Sequence, residues 1–238
     1  NIIGRLYKYF SVYFVAVYAP TARNLFLFLP AVIALESAGS IRFLYRHFLS
    51  KIMDKSLNAF YYACSYANID YSRFMNITAR TALNLIPLDL GSQPVFLCID
   101  DIMVPKSGKK FEDVSKLFDH AAHNGSNYLN GHCFVSIMLC VPVWNQNRIR
   151  YVSVPLGYRM WLGSESKLKL AASMVRQAMP ELARKKNVII LCDSWYVKKD
   201  LVCLVDEYKN LDLIGNVRAD SVIYDLAPEL SGKKGRPA

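Results

Sequence analysis

The chain has 238 residues, of which 53% are hydrophobic and 20% are charged, and this balance excludes an intrinsically disordered protein. The net charge is +10, with nine Lys/Arg against four Asp/Glu before Pro94 and twenty against fifteen after it. Such an even distribution of positive charge along the chain fits an ordinary basic soluble protein. It equally fits a partner of polyanions, because phosphate backbones attract distributed cations without needing a motif.

The two ends of the sequence look internal to a longer protein. It starts at Asn1 rather than Met and stops in a basic, Gly/Pro-rich stretch, "GKKGRPA". We therefore expect a fragment. The six cysteines form no C-x-x-C pair and lie mostly in apolar runs, which predicts reduced core cysteines in a cytoplasmic protein rather than disulfides or zinc ligands.

Two apolar stretches near the start, "YFSVYFVAVYAP" and "NLFLFLPAVIAL", raise the possibility of membrane insertion. Each runs for about twelve residues, short of the ~20 apolar residues that span a bilayer. Arg23 and Pro30 interrupt them further. Buried amphipathic helices are the favoured interpretation, and a membrane-associated protein is the weaker alternative.

Residues 1–90 are predicted to be mainly helical. Apolar residues recur at helical spacing over Ile41–Ile52, with basic residues on the polar side (Arg42, Arg46 and Lys51). The helical pattern then continues, with Asp54 or Ser56 as a plausible N-cap. Interleaved basic residues fit a helix-turn-helix or an ordinary bundle, and the bundle is slightly favoured. DNA binding by this region is an open possibility.

The stretch "PLDLGSQP" (Pro87–Pro94) marks a predicted boundary, because two prolines and a glycine interrupt the pattern there. The second region, 94–238, is predicted to form a mixed α/β sheet with helices packed on it. Its predicted elements, in chain order, are a strand (Val95–Ile99), a polar loop (Pro105–Asn130), a hairpin of two strands around "WNQN" (His132–Val143 and Arg148–Pro155), a helix (Glu165–Arg184, starting near Ser164 or Ser166), a strand (Asn187–Cys192), a helix (Val197–Tyr208) and a strand (Leu211–Val217).

Two apolar strands each deliver an aspartate at the C-terminal end. "VFLCIDD" ends in Asp100 and Asp101, and "VIILCDS" carries Asp193. Ligands of α/β sheets bind beyond the carboxyl ends of strands. If the two strands are neighbours, their carboxylates converge, and a shared divalent cation relieves their repulsion. Magnesium suits such a site, and two ions could clamp a phosphodiester.

Two other interpretations of these aspartates remain. Each Asp could simply end its strand at the surface or cap the next element. A Walker B strand would require a phosphate-cradling G-x-x-x-x-G-K-[ST] loop, which the sequence lacks.

The order of several short motifs resembles that of DDE transposases of bacterial insertion sequences, more narrowly the insertion-sequence-four-like group. The motifs are "CIDD", "GHCFVSIML", "VPLGYRMW", "SESKLKLAASMV", "ILCDSWY", "IGNVRAD" and "GKKGRP". The resemblance covers Val95–Pro237 well and the helical region only in general character. It implies an RNase H-like fold and metal-dependent DNA cleavage and strand transfer.

The resemblance also implies which carboxylates hold metal. The first catalytic aspartate maps to Asp101, with Asp100 as its fallback, and the second to Asp193. The third family carboxylate is a Glu on a later helix, expected beyond Ala238, since Glu229 lies too early. The implied cofactor is Mg²⁺, or alternatively Mn²⁺, in a two-metal site. With two of three ligands, the fragment is expected to be inactive alone.

Further expectations concern partners and location. The implied partner is double-stranded DNA, both transposon ends and target, bound by a homodimer in the synaptic complex. Location in the bacterial cytoplasm, at the nucleoid, is expected, with no membrane association. A different class of function also stays open: a catalytically dead remnant that binds DNA or dimerises with full-length protein.

Several other residues are candidate DNA contacts. Arg218 is predicted near phosphate, with a surface or ion-paired arginine as the alternative. Tyr158 and Arg159 resemble a hairpin end of the family, and core packing is the favoured alternative for Tyr158. The loop lysines after Asp101 could equally be plainly solvated (Lys106, Lys109 and Lys110).

Two remaining features resemble ligand sites only weakly. His120 and His123 lack the further Cys or His of a zinc site. Loop hydrogen bonding or DNA contact is expected for them and for Asn124. Packing over the sheet edge is favoured over base stacking for Trp195.

Overall fold

The computed structural model describes residues 2–36, 39–108, 110–119, 125–185, 187–217, 219 and 221–222. Helices fill the N-terminal part, and a mixed sheet flanked by helices follows. The predicted α/β class is therefore confirmed, and the architecture is consistent with an RNase H-like fold.

The N-terminal region is helical, as predicted. Its α-helices are α1 (Ile2–Phe10), α2 (Ala19–Leu35), α3 (Ile41–Leu44), α4 (Ser50–Ile52), α5 (Leu57–Ser65) and α6 (Tyr71–Leu83), with 3-10 turns at Ser11–Ala16 and Leu88–Leu90 and a π-helical segment at Tyr45–Leu49 between α3 and α4. Of the two predicted N-caps, Ser56 caps α5, where its hydroxyl accepts a hydrogen bond from the Ala59 amide.

A small core of their own holds these helices together. Ala31 of α2, Leu44 of α3 and Phe60 of α5 are buried there, with Leu49 of the π-helical segment. Across the part of the chain that the structure describes, none of the helices is both long enough and apolar enough to cross a membrane.

The second region contains the sheet and three further helices. In chain order these are β1 (Val95–Pro105), β2 (Ser115–Phe118), β3 (Tyr128–Asn145), β4 (Arg148–Trp161), α7 (Lys167–Leu182), β5 (Val188–Cys192), α8 (Lys199–Val202), α9 (Leu204–Glu207) and β6 (Leu211–Gly215). The hairpin prediction is confirmed. Gln146 and Asn147 at its tip have φ of 50° and 58°, as a two-residue primed turn requires.

Strand β1 lies at the centre of the sheet. It pairs antiparallel with β3 on one side and parallel with β5 on the other. Strand β4 extends the sheet beyond β3, β6 extends it beyond β5, and β2 pairs with the start of β3. The two strands that deliver the aspartates are therefore hydrogen-bonded neighbours.

The main core lies between this sheet and helices α6 and α7. Alternate residues of β1 are buried on the α7 side, namely Val95, Leu97 and Ile99. Eight residues of α7 are buried against the sheet. Helix α6 adds Met75, Ala79 and Ala82 to the same core. A domain boundary at Pro87–Pro94 stays a prediction, and α6 packs with the residues that follow it.

The first strand is longer than its apolar pattern indicates. We predicted that it ends at Ile99, but β1 continues to Pro105, which pairs with Gly131 of β3. The long antiparallel partner supplies backbone hydrogen bonds where the apolar run has stopped. Asp100 and Asp101 therefore lie inside a strand, and their predicted place at its end was wrong.

Three other boundaries differ from the prediction. The predicted loop Pro105–Asn130 contains β2, which pairs with the start of β3. Strand β4 runs on to Trp161 because β3 pairs with it as far as Cys133. The predicted helix Val197–Tyr208 forms as the two short helices α8 and α9.

Replacement of Gly131 tests the close packing of β1 on β3. A Cβ at this position would lie 2.4 Å from the Val104 carbonyl oxygen, so the backbone must shift. We expect Gly131→Ala to lower the free energy of unfolding by about 1–3 kcal/mol, the usual range for overpacking, measured by denaturant titration. The control is Gly157→Ala, whose Cβ would meet only the Met174 methyl at 3.8 Å. Equal stabilities for the two variants would contradict this register of β1 on β3.

Candidate active site

Asp101 lies on the α7 side of β1, two positions beyond the buried Ile99. Its side chain is 21% exposed, and its Oδ2 accepts a hydrogen bond from Lys167 Nζ at 2.5 Å. The Cys133 thiol of β3 also donates to Oδ2, at 3.5 Å. Burial raises the pKa of this thiol to about 11, so it remains a neutral donor. Two neighbours thus hold one oxygen of the carboxylate.

Asp193 follows β5 directly and is exposed. Its Oδ1 accepts hydrogen bonds from the backbone N–H groups of Trp195 at 3.0 Å and Tyr196 at 3.2 Å. Asp193 thus stabilises the turn that follows β5 with one oxygen, whereas the N-cap of the next helix, α8, is Lys198. These two hydrogen bonds fix the orientation of the Asp193 carboxylate just beyond the end of β5.

The register of β1 and β5 sets how close the aspartates come. Ile99 pairs with Cys192, so the next residues along the two strands are Asp100 and Asp193. Neighbouring strands are about 4.8 Å apart. Asp100 is exposed on the opposite face from Asp101, and its Oδ1 accepts the Asp101 N–H at 2.8 Å. The alternation of side chains therefore favours Asp101 over Asp100 as the residue facing α7.

Tyr196, whose backbone N–H donates to Asp193, carries a buried hydroxyl. Its side chain is fully buried, and among the described residues its hydroxyl has no hydrogen-bond partner. Burial raises the pKa of this phenol, and the negative charges of Asp101, Asp100 and Asp193 raise it further. The hydroxyl therefore lies within the field of all three aspartates. An unsatisfied buried group of this kind costs about 1–3 kcal/mol.

Lys167 is a site residue that the sequence analysis missed. It is the first residue of α7, whose N-cap Ser166 accepts a hydrogen bond from the Lys169 amide. Its ammonium lies 4.7 Å from the centroid of the Trp195 ring and 5.9 Å from that of Trp161. A cation at a helix N-terminus opposes the helix dipole. A lysine at this unfavourable helix position, in "SESKLKL", is the feature of the sequence that could have indicated a site residue.

The donor set fits a divalent cation that prefers oxygen ligands. Across the described ranges, no hydrogen bond reaches Asp101 Oδ1 or Asp193 Oδ2, so each aspartate keeps one oxygen for a ligand. Magnesium commonly takes only one or two protein carboxylates, with water and phosphate oxygens completing its coordination. Within the described residues, however, no group of three or more His, Cys, Asp and Glu side chains could hold a metal.

The other predicted contacts lie apart from this centre. Lys106 follows β1, and its ammonium lies 5.4 Å from the Phe111 ring. Five positions of extended chain separate it from Asp101, about 16 Å. Lys110 is exposed. The remaining predictions fall on residues outside the described ranges, namely Lys109, His120, His123, Asn124, Arg218 and Glu229.

Of the two predicted residues at the end of the hairpin, Tyr158 is exposed and Arg159 is bound to α7. Tyr158 is 52% exposed, so it does not pack in the core. Arg159 is bound to α7, donating to Ser173 Oγ at 2.8 Å and to Gln177 Oε1. Trp195 is 44% exposed, and its ring packs edge-to-face against Tyr196.

The broad class of this protein is defined by an RNase H-like sheet with Asp101 on its central strand and Asp193 directly after the neighbouring strand. A comparison with protein families matches residues 46–238 to the family described as DDE superfamily endonuclease. The chain belongs to this family. A search of curated proteins found no match. Enzymes of the superfamily use divalent metals, and membership implies a DNA substrate.

Replacement of Tyr196 by Phe tests whether the buried hydroxyl is kept at the expense of stability. Without metal, Tyr196→Phe should raise the free energy of unfolding by about 1–3 kcal/mol, because it removes an unsatisfied buried group. The measurement is denaturant unfolding in the presence of EDTA.

Tyr45→Phe is the matched control, since the Tyr45 hydroxyl donates to the Lys55 carbonyl at 2.9 Å. That variant should lose about 0.5–1.5 kcal/mol. A loss of stability in Tyr196→Phe would show that its hydroxyl has a partner in the folded protein.

Proposed function

We propose that this protein is a DNA transposase that cleaves phosphodiester bonds at transposon ends and joins the freed ends to target DNA. The observation that supports it most directly is the pair of aspartates on β1 and β5, each with one oxygen fixed by the protein and one left for a ligand. The proposal includes a Glu as a third carboxylate ligand.

Asp101 and Asp193 are the proposed metal ligands, with Asp100 a secondary candidate. A bound Mg²⁺ or Mn²⁺ pair would neutralise phosphate charge and favour deprotonation of an attacking water. Lys167 and the Cys133 thiol hold the Asp101 carboxylate in place, and the backbone amides of Trp195 and Tyr196 do the same for Asp193. Fixed geometry of this kind lowers the barrier because no reorganisation is needed during reaction.

The proposed reaction has two transfers at phosphorus. In the first, a water oxygen attacks the phosphodiester at the transposon end, the P–O3′ bond breaks, and the strand leaves with a 3′-hydroxyl. In the second, that hydroxyl attacks a phosphodiester of the target and displaces its 3′-oxygen. No covalent enzyme intermediate is needed.

DNA binding is proposed to extend beyond this centre. The net charge of +10 supplies a general attraction for the phosphate backbone. The proposed contacts are Lys106, Lys109, Lys110, Tyr158, Arg159 and Arg218. Of these, Arg159 is already engaged by α7, so its contribution is to hold the hairpin in place. A homodimer is proposed for the complex that pairs two transposon ends.

A remnant without chemistry is the second candidate. It is favoured by one observation: across the described residues, no metal-binding group of three or more side chains forms. Such a protein would bind DNA or pair with a second copy, and it would show no metal-dependent cleavage.

Substitution of the aspartates tests the proposal. The protein from its complete natural reading frame is assayed for Mg²⁺- or Mn²⁺-dependent nicking of supercoiled DNA carrying the transposon end. Asp101→Asn and Asp193→Asn should each lower the rate by about 100-fold or more. Asp100→Asn should have a smaller effect, because Asp100 lies on the other face of β1.

The control is Asp212→Asn, which changes an exposed carboxylate on β6 of the same sheet and should leave the rate unchanged. Nicking by the Asp101 and Asp193 variants at the wild-type rate would refute the proposal. Metal-independent DNA binding with no nicking by the wild-type protein would favour the remnant.

A further inference from the structure

Lys167 makes an ion pair in which both side chains are largely enclosed by the protein. Its Nζ lies 2.5 Å from Asp101 Oδ2, and each side chain is only 21% exposed. By contrast, two other ion pairs join α6 to α7 and α7 to α9, and each includes an arginine that is at least 47% exposed. The pair at Asp101 is more sheltered from solvent than either of these.

Two indole rings complete the surroundings of this ammonium. Trp195 follows Asp193 by two residues, and Trp161 is the last residue of β4. Trp161 is held by a hydrogen bond from its Nε1 to the Glu165 carbonyl at 2.7 Å. Aromatic faces attract cations. The positive charge of Lys167 is therefore stabilised by Asp101 of β1, Trp161 of β4 and Trp195 of the turn after β5.

Helix geometry gives no reason of its own for a lysine here. Lys167 is the first residue of α7, and the first turn of that helix contains no acidic residue. The helix dipole disfavours a cation at this end. The positive charge of Lys167 is favoured by the carboxylate of Asp101, which lies 66 positions earlier in the sequence.

We propose that Lys167 is a positioning residue that holds Asp101 in the metal-free protein and competes with the divalent cation for that carboxylate. The inference rests on the proposed function, in which Asp101 is a metal ligand. In the metal-free protein the ammonium keeps an ionised carboxylate oriented in a partly buried place. A divalent cation on the other oxygen of Asp101 would lie close to the ammonium, and the repulsion between the two cations would weaken metal binding.

Mn²⁺ affinity distinguishes this role from a purely structural one. Mn²⁺ alone is titrated into the protein, and free Mn²⁺ is followed by electron paramagnetic resonance. Lys167→Met and Lys167→Gln should bind Mn²⁺ at least about tenfold more tightly than wild type, because a neighbouring positive charge is gone. Lys167→Arg keeps the charge and should stay within about twofold of wild type.

Lys169→Met is the matched control, since Lys169 is exposed on the same first turn of α7 and should not alter Mn²⁺ affinity. Circular dichroism establishes that each variant is folded. Unchanged or weaker Mn²⁺ binding by both neutral variants of Lys167 would overturn the inference.

The aspartate variants separate failure of this inference from failure of the proposed function. Asp101→Asn and Asp193→Asn should each weaken Mn²⁺ binding by at least about tenfold. If they do so while the neutral Lys167 variants bind like wild type, the metal site stands and the competition is refuted. If they bind Mn²⁺ like wild type, the metal site itself is refuted, and the proposed function with it.

Discussion

The candidate site depends on the parallel pairing of β1 with β5. Through the register that places Ile99 beside Cys192, this pairing brings Asp193 next to the Asp100–Asp101 pair. The side chains of β1 alternate between the two faces, so a slip of one residue would exchange Asp101 for Asp100. The apolar residues that the two strands bury against α7 therefore also set which carboxylate faces the site.

The surroundings of the aspartates combine interactions that stabilise the fold with others that do not. Lys167, Cys133 and two backbone amides each satisfy a carboxylate oxygen. The buried Tyr196 hydroxyl does the opposite, since no described residue satisfies it. Proteins tend to retain such local losses at functional sites. On each aspartate, likewise, one oxygen is held by the protein and the other accepts no hydrogen bond from a described residue.

The helical region is joined to this site through packing. Helix α6 buries Met75, Ala79 and Ala82 in the core of the sheet, and Arg80 of α6 forms an ion pair with Glu181 of α7 at 2.6 Å. Helix α7 in turn begins at Lys167. The family match, which starts at residue 46, likewise includes α6. The helices that precede α6 have a separate small core.

The sequence by itself determined the α/β class, the hairpin around "WNQN", a helix start near Ser164 or Ser166 and the two apolar strands that lead to the aspartates, because each depends on short-range apolar patterns, turn residues or capping side chains. Only the tertiary structure decided how far β1 extends, which face Asp101 occupies and that Lys167 pairs with it. Strand length followed from hydrogen bonding to β3, more than 25 positions away. The ion pair joins residues 66 positions apart, and no local pattern encodes a contact that exists only after the sheet and α7 have packed together.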